Sequence, residues 1–132
     1  MSTVEVSATL RIAAEGGDLS DFISDHRDQL TRAIGPPSSR AGSSVWTIDL
    51  TAGEVNEIEP VLDRCVELAT ALRAMPGLPP ATEITIWMVL WSSKEFVGLA
   101  LSDDLIHRAS RSRVSFVFSV YNGREDDATL HA

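Results

Sequence analysis

Apolar and polar residues alternate along three segments of the chain, residues 4–12, 46–50 and 114–121. Because successive side chains of a strand point to opposite faces, each segment predicts a strand with one buried and one solvated face. Between residues 18 and 34, and again between residues 57 and 75, apolar residues recur at helical spacing. This spacing predicts two amphipathic helices.

Capping and breaking residues set the ends of the predicted helices. Asp18 is a candidate cap for the first helix, and Pro60 fits the first turn of the second, where its missing N–H removes no hydrogen bond. Ser102 predicts the start of a third, short helix, because a serine oxygen accepts a bond from a backbone N–H of the first turn. Gly35-Pro36-Pro37 and Pro76-Gly77 end the first two helices.

Residues 84–91, Ile-Thr-Ile-Trp-Met-Val-Leu-Trp, are the most informative segment, because beyond its start apolar residues occupy both alternating faces. A strand here places one set of side chains in a core and sends Trp87, Val89 and Trp91 to the opposite side. An exposed group of this kind needs a cover, which is either another part of the chain or a partner.

A hairpin is predicted after this segment. Ser92 to Glu95 forms a four-residue loop that leads into a strand at residues 96–101. In this register Trp91 pairs with Phe96, so that Phe96 joins the outer aromatic group.

The predicted element order is strand, helix, strand, helix, strand, strand, helix, strand, without a linker long enough to separate two domains. This order indicates the α+β class, with a single mixed five-stranded sheet and three helices mainly on one face. Residues 1–121 form this single domain, and we expect residues 122–132 to form an acidic, flexible tail. The other face of the sheet is expected to be open.

Composition places the chain among folded, acidic proteins. Its 132 residues suffice for one domain, and 44% hydrophobic and 23% charged residues are typical of globular proteins. The net charge of −8 disfavours nucleic acid and membrane surfaces as partners, and favours a basic protein or a cationic ligand. Cys65 stands alone, and neither a secretory signal nor a membrane-spanning segment is evident, so we expect a cytoplasmic protein without disulfides.

Acidic residues concentrate around the start of the second helix, at Glu54, Glu57, Glu59 and Asp63. Carboxylates near a helix N-terminus are favoured by the helix dipole alone, so a solvated helix face is one interpretation. The other is a docking surface that attracts a basic partner.

A set of structural motifs along the chain follows a known pattern. In chain order these motifs are Ala-Thr-Leu-Arg-Ile at residues 8–12, Gly-Pro-Pro at 35–37, Arg40, Gly42, Trp46, Leu-Ser-Asp-Asp-Leu at 101–105 and the alternating strand at 114–121. In this arrangement the chain resembles the bacterial family catalogued as domain of unknown function 4279, over roughly residues 5–121. The resemblance implies no activity, which favours a binding role over a familiar enzyme.

The sequence carries no catalytic or cofactor signature. Gly16-Gly17 lacks the Gly and Lys spacing of phosphate-binding loops, and the three histidines lack metal-ligand spacing, so we expect no cofactor, no metal and no enzyme activity. His26, on the apolar side of the first helix, is a candidate either for chemistry or for packing. Cys65 is expected to pack in the core, and Arg40, in the polar loop at residues 38–44, is a candidate anion ligand.

Together these patterns predict a small protein-binding module of the inhibitor or immunity type, which docks through an outer aromatic face and an acidic helix. Its predicted partner-binding residues are Trp87, Val89, Trp91, Phe96, Glu54, Glu57, Glu59 and Asp63. Two alternatives stay open. One is a small-ligand or anion-binding sensor or enzyme that uses Arg40 and His26, and the other is a homodimeric structural protein whose tryptophan faces pack together.

Overall fold

The computed structural model describes residues 4–14, 18–39, 44–92 and 101–122. In chain order the elements are strand β1 (Val4–Ala13), helix α1 (Asp18–Ala33), strands β2 (Pro37–Ser38), β3 (Val45–Asp49) and β4 (Gly53–Val55), helix α2 (Glu59–Arg73), strand β5 (Glu83–Ser92), helix α3 (Asp103–Arg111) and strand β6 (Val114–Asn122). Within these ranges six strands form one sheet accompanied by three helices, which confirms the predicted α+β class.

The sheet is mixed and its order is β2-β3-β1-β5-β6. Strand β1 is central: β5 pairs antiparallel with one edge, while β3 and β4 share the other edge. Strand β6 runs parallel to β5. Because parallel neighbours need a crossover between the two ends of the sheet, the chain passes through α3 before it enters β6.

The predicted hairpin is wrong. Strand β1 pairs with residues 83–91 on one edge of β5, and β6 pairs with residues 84–92 on the other edge. Since a strand has only two hydrogen-bonding edges, β5 has no free edge for the predicted hairpin register. Ser92 also belongs to β5 and not to a loop.

The inner face of the sheet packs against the helices in one hydrophobic core. Leu10 of β1 lies between Ile48 of β3 and Ile86 of β5, and all three are fully buried. The buried residues that α1 and α2 contribute to the same core are Leu19, Phe22, Ile23, Leu30, Leu62, Cys65, Val66, Ala69 and Leu72. Burying one large aliphatic side chain contributes roughly 1.5–3 kcal/mol, so this layer supplies most of the favourable free energy of folding.

Two predicted helix starts are confirmed. The Oγ of Ser102 accepts a hydrogen bond from the backbone N–H of Leu105 at 3.1 Å, so Ser102 caps α3 as predicted. Pro60 lies in the first turn of α2, which begins at Glu59. Each side chain therefore stands where its chemistry suits the free backbone groups of a helix N-terminus.

The sequence pattern does not predict two of the strands. Strand β2 has two residues, where the predicted helix-ending turn meets the predicted loop, and β4 has three, too few for alternation to be recognised. They extend the sheet at its β1–β3 side, where Val55 of β4 pairs with Val4. Gly53 opens β4 with a φ of 78°, a backbone conformation that favours glycine.

Three predictions fall on residues outside the described ranges. These are the Arg40 loop position, the hairpin strand with Phe96, and the acidic tail from residue 123 onward. Among the helices of the described part, none is long and apolar enough to cross a membrane.

Candidate functional site

The predicted tryptophans lie on the side of the sheet that faces away from the three helices, which we call the outer face. Along β5, Trp87 and Trp91 are 39% and 40% exposed, whereas Met88 between them is 1% exposed. Val89 shares their side of the strand and is half-buried. The strand thus divides its two apolar sets between the core and the outer face, as predicted.

Strand β6 enlarges this group with two residues that sequence reasoning missed. Its parallel register places Val117 beside Trp87 and Tyr121 beside Trp91. The rings of Trp91 and Tyr121 stack with centroids 5.7 Å apart and an angle of 20° between their planes, and Tyr121 is 53% exposed. We call Trp87, Val89, Trp91, Val117 and Tyr121 the aromatic patch.

The exposed ring area of this patch is comparable to the largest apolar patch on a typical monomer. Given roughly 150–250 Å² for each aromatic side chain, the exposed fractions of its three rings leave on the order of 300 Å² of ring surface in contact with water. That value matches the largest apolar patches on monomers, which are often functional. The alternation of residues 114–121 was the available signal for β6, but only the sheet order reveals that β6 adjoins β5.

A groove of about 370 Å³ borders the patch on its β1 side. The residues that line it are Thr9, Arg11, Thr47, Trp87 and Val89. The Cζ atom of Arg11 lies 5.8 Å from the centroid of the Trp87 ring, within the range of a cation–π contact. The groove therefore combines one cation and two hydroxyls with an apolar wall.

Carboxylates mark the opposite end of the outer face. Glu5 of β1 lies directly across from Trp91 of β5 on one side and from Glu54 of β4 on the other. Both glutamates are exposed. Like charges directly opposite each other across two strands are destabilising, so this arrangement costs the isolated domain some stability.

The charge at the Arg11 end has the opposite sign. Arg11 lies across from Thr47 and Thr85, neither of which is charged. Glu83 and Arg113, at or beside the ends of β5 and β6, add one charge of each sign. The outer face is therefore negative at its Trp91 end and positive at its Arg11 end.

The predicted acidic docking residues do not form one surface with the aromatic patch. Glu54 lies at its edge, but Glu59 and Asp63 belong to α2, on the other side of the sheet, and exposed Glu57 precedes that helix. Asp63 accepts a hydrogen bond from Arg108 of α3. This bond, with the nearby carboxylate charges, raises the pKa of Arg108. Asp63 thus ties two helices together.

His26 is engaged in local packing. Its Nδ1 donates to the backbone carbonyl of Phe22 at 2.9 Å, and its ring stacks on the Phe22 ring with centroids 4.4 Å apart. The backbone of His26 departs from helical geometry at a kink in α1. These contacts account for a histidine on the apolar side of this helix.

Cys65 is buried in α2, as predicted. Burial raises the pKa of its thiol to about 11. The thiolate, which is the nucleophilic form, is therefore scarce at neutral pH.

Arg73, which sequence reasoning also missed, joins three parts of the fold. Its guanidinium donates to the carbonyl oxygens of Thr82 at 2.8 Å, Ser112 at 3.0 Å and Arg113 at 3.2 Å. Burial lowers the pKa of Arg73, and the charge of Arg113 lowers it further. These bonds link the end of α2 to the start of β5 and to the turn between α3 and β6.

The described residues do not assemble a metal site, since no three His, Cys, Asp or Glu side chains among them converge on one point. Comparison of the chain with protein-family models, with curated proteins and with solved structures finds no match. The resemblance to the domain of unknown function stays a prediction. Function is inferred below from the geometry of the outer face.

Proposed function

We propose that this domain is a protein-binding module whose contact surface is the aromatic patch. The observation that carries the proposal is the exposure of Trp87, Trp91 and Tyr121 on the outer face, where Trp91 stacks on Tyr121 and Val89 lies between the two tryptophans. An exposed apolar patch of this size is often functional, and tryptophan and tyrosine are enriched in protein interfaces.

The rigidity of the patch suits it to binding. Trp87, Val89 and Trp91 project from β5, which is hydrogen-bonded on both edges, and Trp91 stacks on Tyr121. Side chains that are ordered before binding lose little conformational entropy in a complex. Tryptophan and tyrosine are also the residues on which interface affinity most often depends.

Polar groups lie along the β1 and β6 sides of the patch, as they do at the rim of a protein interface. Thr9 and Thr47 border it at the groove, and Ser115 and Ser119 occupy the same face of β6. Hydroxyl groups in such a rim hydrogen-bond to a partner or to bridging water, while the aromatic centre excludes water. The inhibitor or immunity role stays a prediction, because it depends on the identity of the partner.

Photo-crosslinking in the native cell tests the proposal, because it captures whichever protein contacts the outer face. The photoreactive residue benzoylphenylalanine replaces Ser115, which is exposed on that face. The matched control carries it at Ala71, which is exposed on α2. We expect a crosslinked product from Ser115 that is absent from Ala71 and that Trp91→Ala reduces.

The outcome against the proposal is equally specific. Equal crosslinking from Ser115 and Ala71, or a Ser115 product unaffected by Trp87→Ala and Trp91→Ala, would show that the outer face is not the binding surface. Circular dichroism of each variant ensures that a lost product reflects lost binding and not lost folding.

A further inference from the structure

We infer that the occupant of the outer face is a second copy of this chain, packed face to face about a two-fold axis. The inference rests on the proposed function, since it names the partner for the same surface. It follows from a match between the two ends of the outer face in charge and in side-chain size.

The axis lies midway between the two facing sheets, parallel to them and perpendicular to the strands. It passes the paired residues Ala8 of β1 and Met88 of β5. Rotation about this axis reverses the strand direction of the second copy. A residue that precedes Ala8 or Met88 therefore faces the residue that follows it by the same number of positions. Such a contact is isologous, because both copies use the same surface.

Charge is complementary in this arrangement. Glu5 and Arg11 stand at equal distances before and after Ala8, and both belong to the outer face, so each Glu5 faces an Arg11 of the second copy. Within the described ranges no ion pair engages Glu5, Glu54 or Arg11. The second copy thus supplies the cation that offsets the repulsion between Glu5 and Glu54.

Side-chain size is complementary as well. Trp91 and Thr85 stand at equal distances after and before Met88, and their neighbours on β6 are Tyr121 and Ser115. The bulky aromatic stack of one copy therefore faces two small hydroxyl residues of the other. Large side chains opposite small ones allow two sheets to interdigitate at their usual separation of about 10 Å.

Aligned sheet packing preserves these contacts. Two facing sheets usually cross at about 30°, and Glu5 lies about 10 Å from the axis along its strand, so the crossing displaces it sideways by about 5 Å. The long side chains of Glu5 and Arg11 span such an offset. Near the axis the displacement vanishes, and Trp87 of each copy packs against Val89 of the other.

The size of the face sets the expected affinity. Strands β1 and β5 pair over nine residues. At about 3.3 Å per residue along the strands and about 4.8 Å between four neighbouring strands, the face measures roughly 30 Å by 19 Å. This footprint is somewhat smaller than the roughly 800 Å² per partner of a standard interface, so the dimer is expected to dissociate in the micromolar range.

Sedimentation velocity of the full chain tests the inference, over concentrations from about 5 to about 500 µM at roughly 0.15 M salt. The wild-type protein is expected to pass from monomer to dimer within this range. Glu5→Arg alone and Arg11→Glu alone each place like charges across the axis, and each should weaken self-association by at least about tenfold. Arg32→Glu makes the same charge change on exposed α1 and should leave the dimer unchanged.

An equimolar mixture of the two charge variants is the decisive arm. In the mixed dimer both arginines of the Glu5→Arg chain face carboxylates of the Arg11→Glu chain, so association should return. Because each variant alone associates more weakly than the mixture, recovery also shows that both are folded.

Three results would overturn the inference: a monomeric wild type at the highest concentration, a dimer that both charge variants leave intact, and a mixture that fails to recover association. The first of these leaves the proposed function standing if Ser115 still crosslinks a different protein in cells. Loss of that crosslinking as well would remove both.

Discussion

Replacing Arg73 with methionine should destabilise the domain, because it removes the three hydrogen bonds that fasten α2 to the start of β5 and to the turn before β6. Methionine keeps most of the aliphatic volume of arginine, so the substitution chiefly removes the guanidinium. The carbonyl groups of Thr82 and Ser112 are left without this donor in residues that are only 3% and 8% exposed.

The expected loss follows from the number and setting of these bonds. A hydrogen bond from a charged donor contributes about 1.5–3 kcal/mol when well buried, but the guanidinium of Arg73 is only partly buried, so we take about 1 kcal/mol for each bond. Three bonds then give a decrease of about 3 kcal/mol in the free energy of unfolding. For a domain of this length, that decrease lowers the melting temperature by about 10 °C.

Urea denaturation followed by circular dichroism measures the loss. Arg113→Met is the matched control, because this exposed arginine donates one long bond, of 3.3 Å, to the carbonyl of Pro80. We expect the control to lose less than about 1 kcal/mol. If Arg73→Met is as stable as the control, the guanidinium does not fasten these elements in solution and the assigned role is wrong.

Three further substitutions test other parts of the description. Burial raises the pKa of Cys65 from 9.0 to about 11. The free energy of unfolding should therefore fall as pH rises between these values, because only the unfolded thiol ionises there. Urea titrations at about pH 8 and about pH 10.5 should show a smaller fall in Cys65→Ala than in wild type, and an equal fall would contradict the assignment. Ser102→Ala should lower the free energy of unfolding, derived from thermal melts, by about 1 kcal/mol, whereas Ser102→Asp should retain the cap. Equal losses in the two variants would mean that the hydrogen bond to Leu105 does not stabilise the helix. Met88→Ala should lower the free energy of unfolding, measured by urea denaturation, by about 2–5 kcal/mol. Val89→Ala should lower it clearly less, because of the two side chains only Met88 is fully buried. The reverse order would mean that the core lies on the other face of β5.

The sequence was sufficient to assign the two sides of β5. Alternation along a strand is a local property, so Met88 and Trp87 can be assigned to opposite faces without knowledge of the neighbouring strands. The cap at Ser102 was recognised for the same reason, since its bond reaches only to Leu105.

The neighbours of β5 were beyond local pattern. A hairpin to residues 96–101 fits the apolar alternation as well as the observed pairs do, and only competition among distant strands decides between them. For the same reason the sequence did not predict the contact of Tyr121 with Trp91, since the two rings meet only through the parallel pairing of β6 with β5. It also made Asp63 a docking candidate, although its partner Arg108 lies in another helix.

The central position of β1 has a consequence for how the protein is made. Strand β1 leaves the ribosome before the other described elements, and its antiparallel partner β5 follows only after α1, three short strands and α2 have been synthesised. At roughly 5–20 residues per second, this interval lasts on the order of ten seconds, during which one edge of β1 has no partner. Pairing between such distant segments is also slow to nucleate. Until β5 emerges, that edge of β1 is therefore open to pairing with other chains.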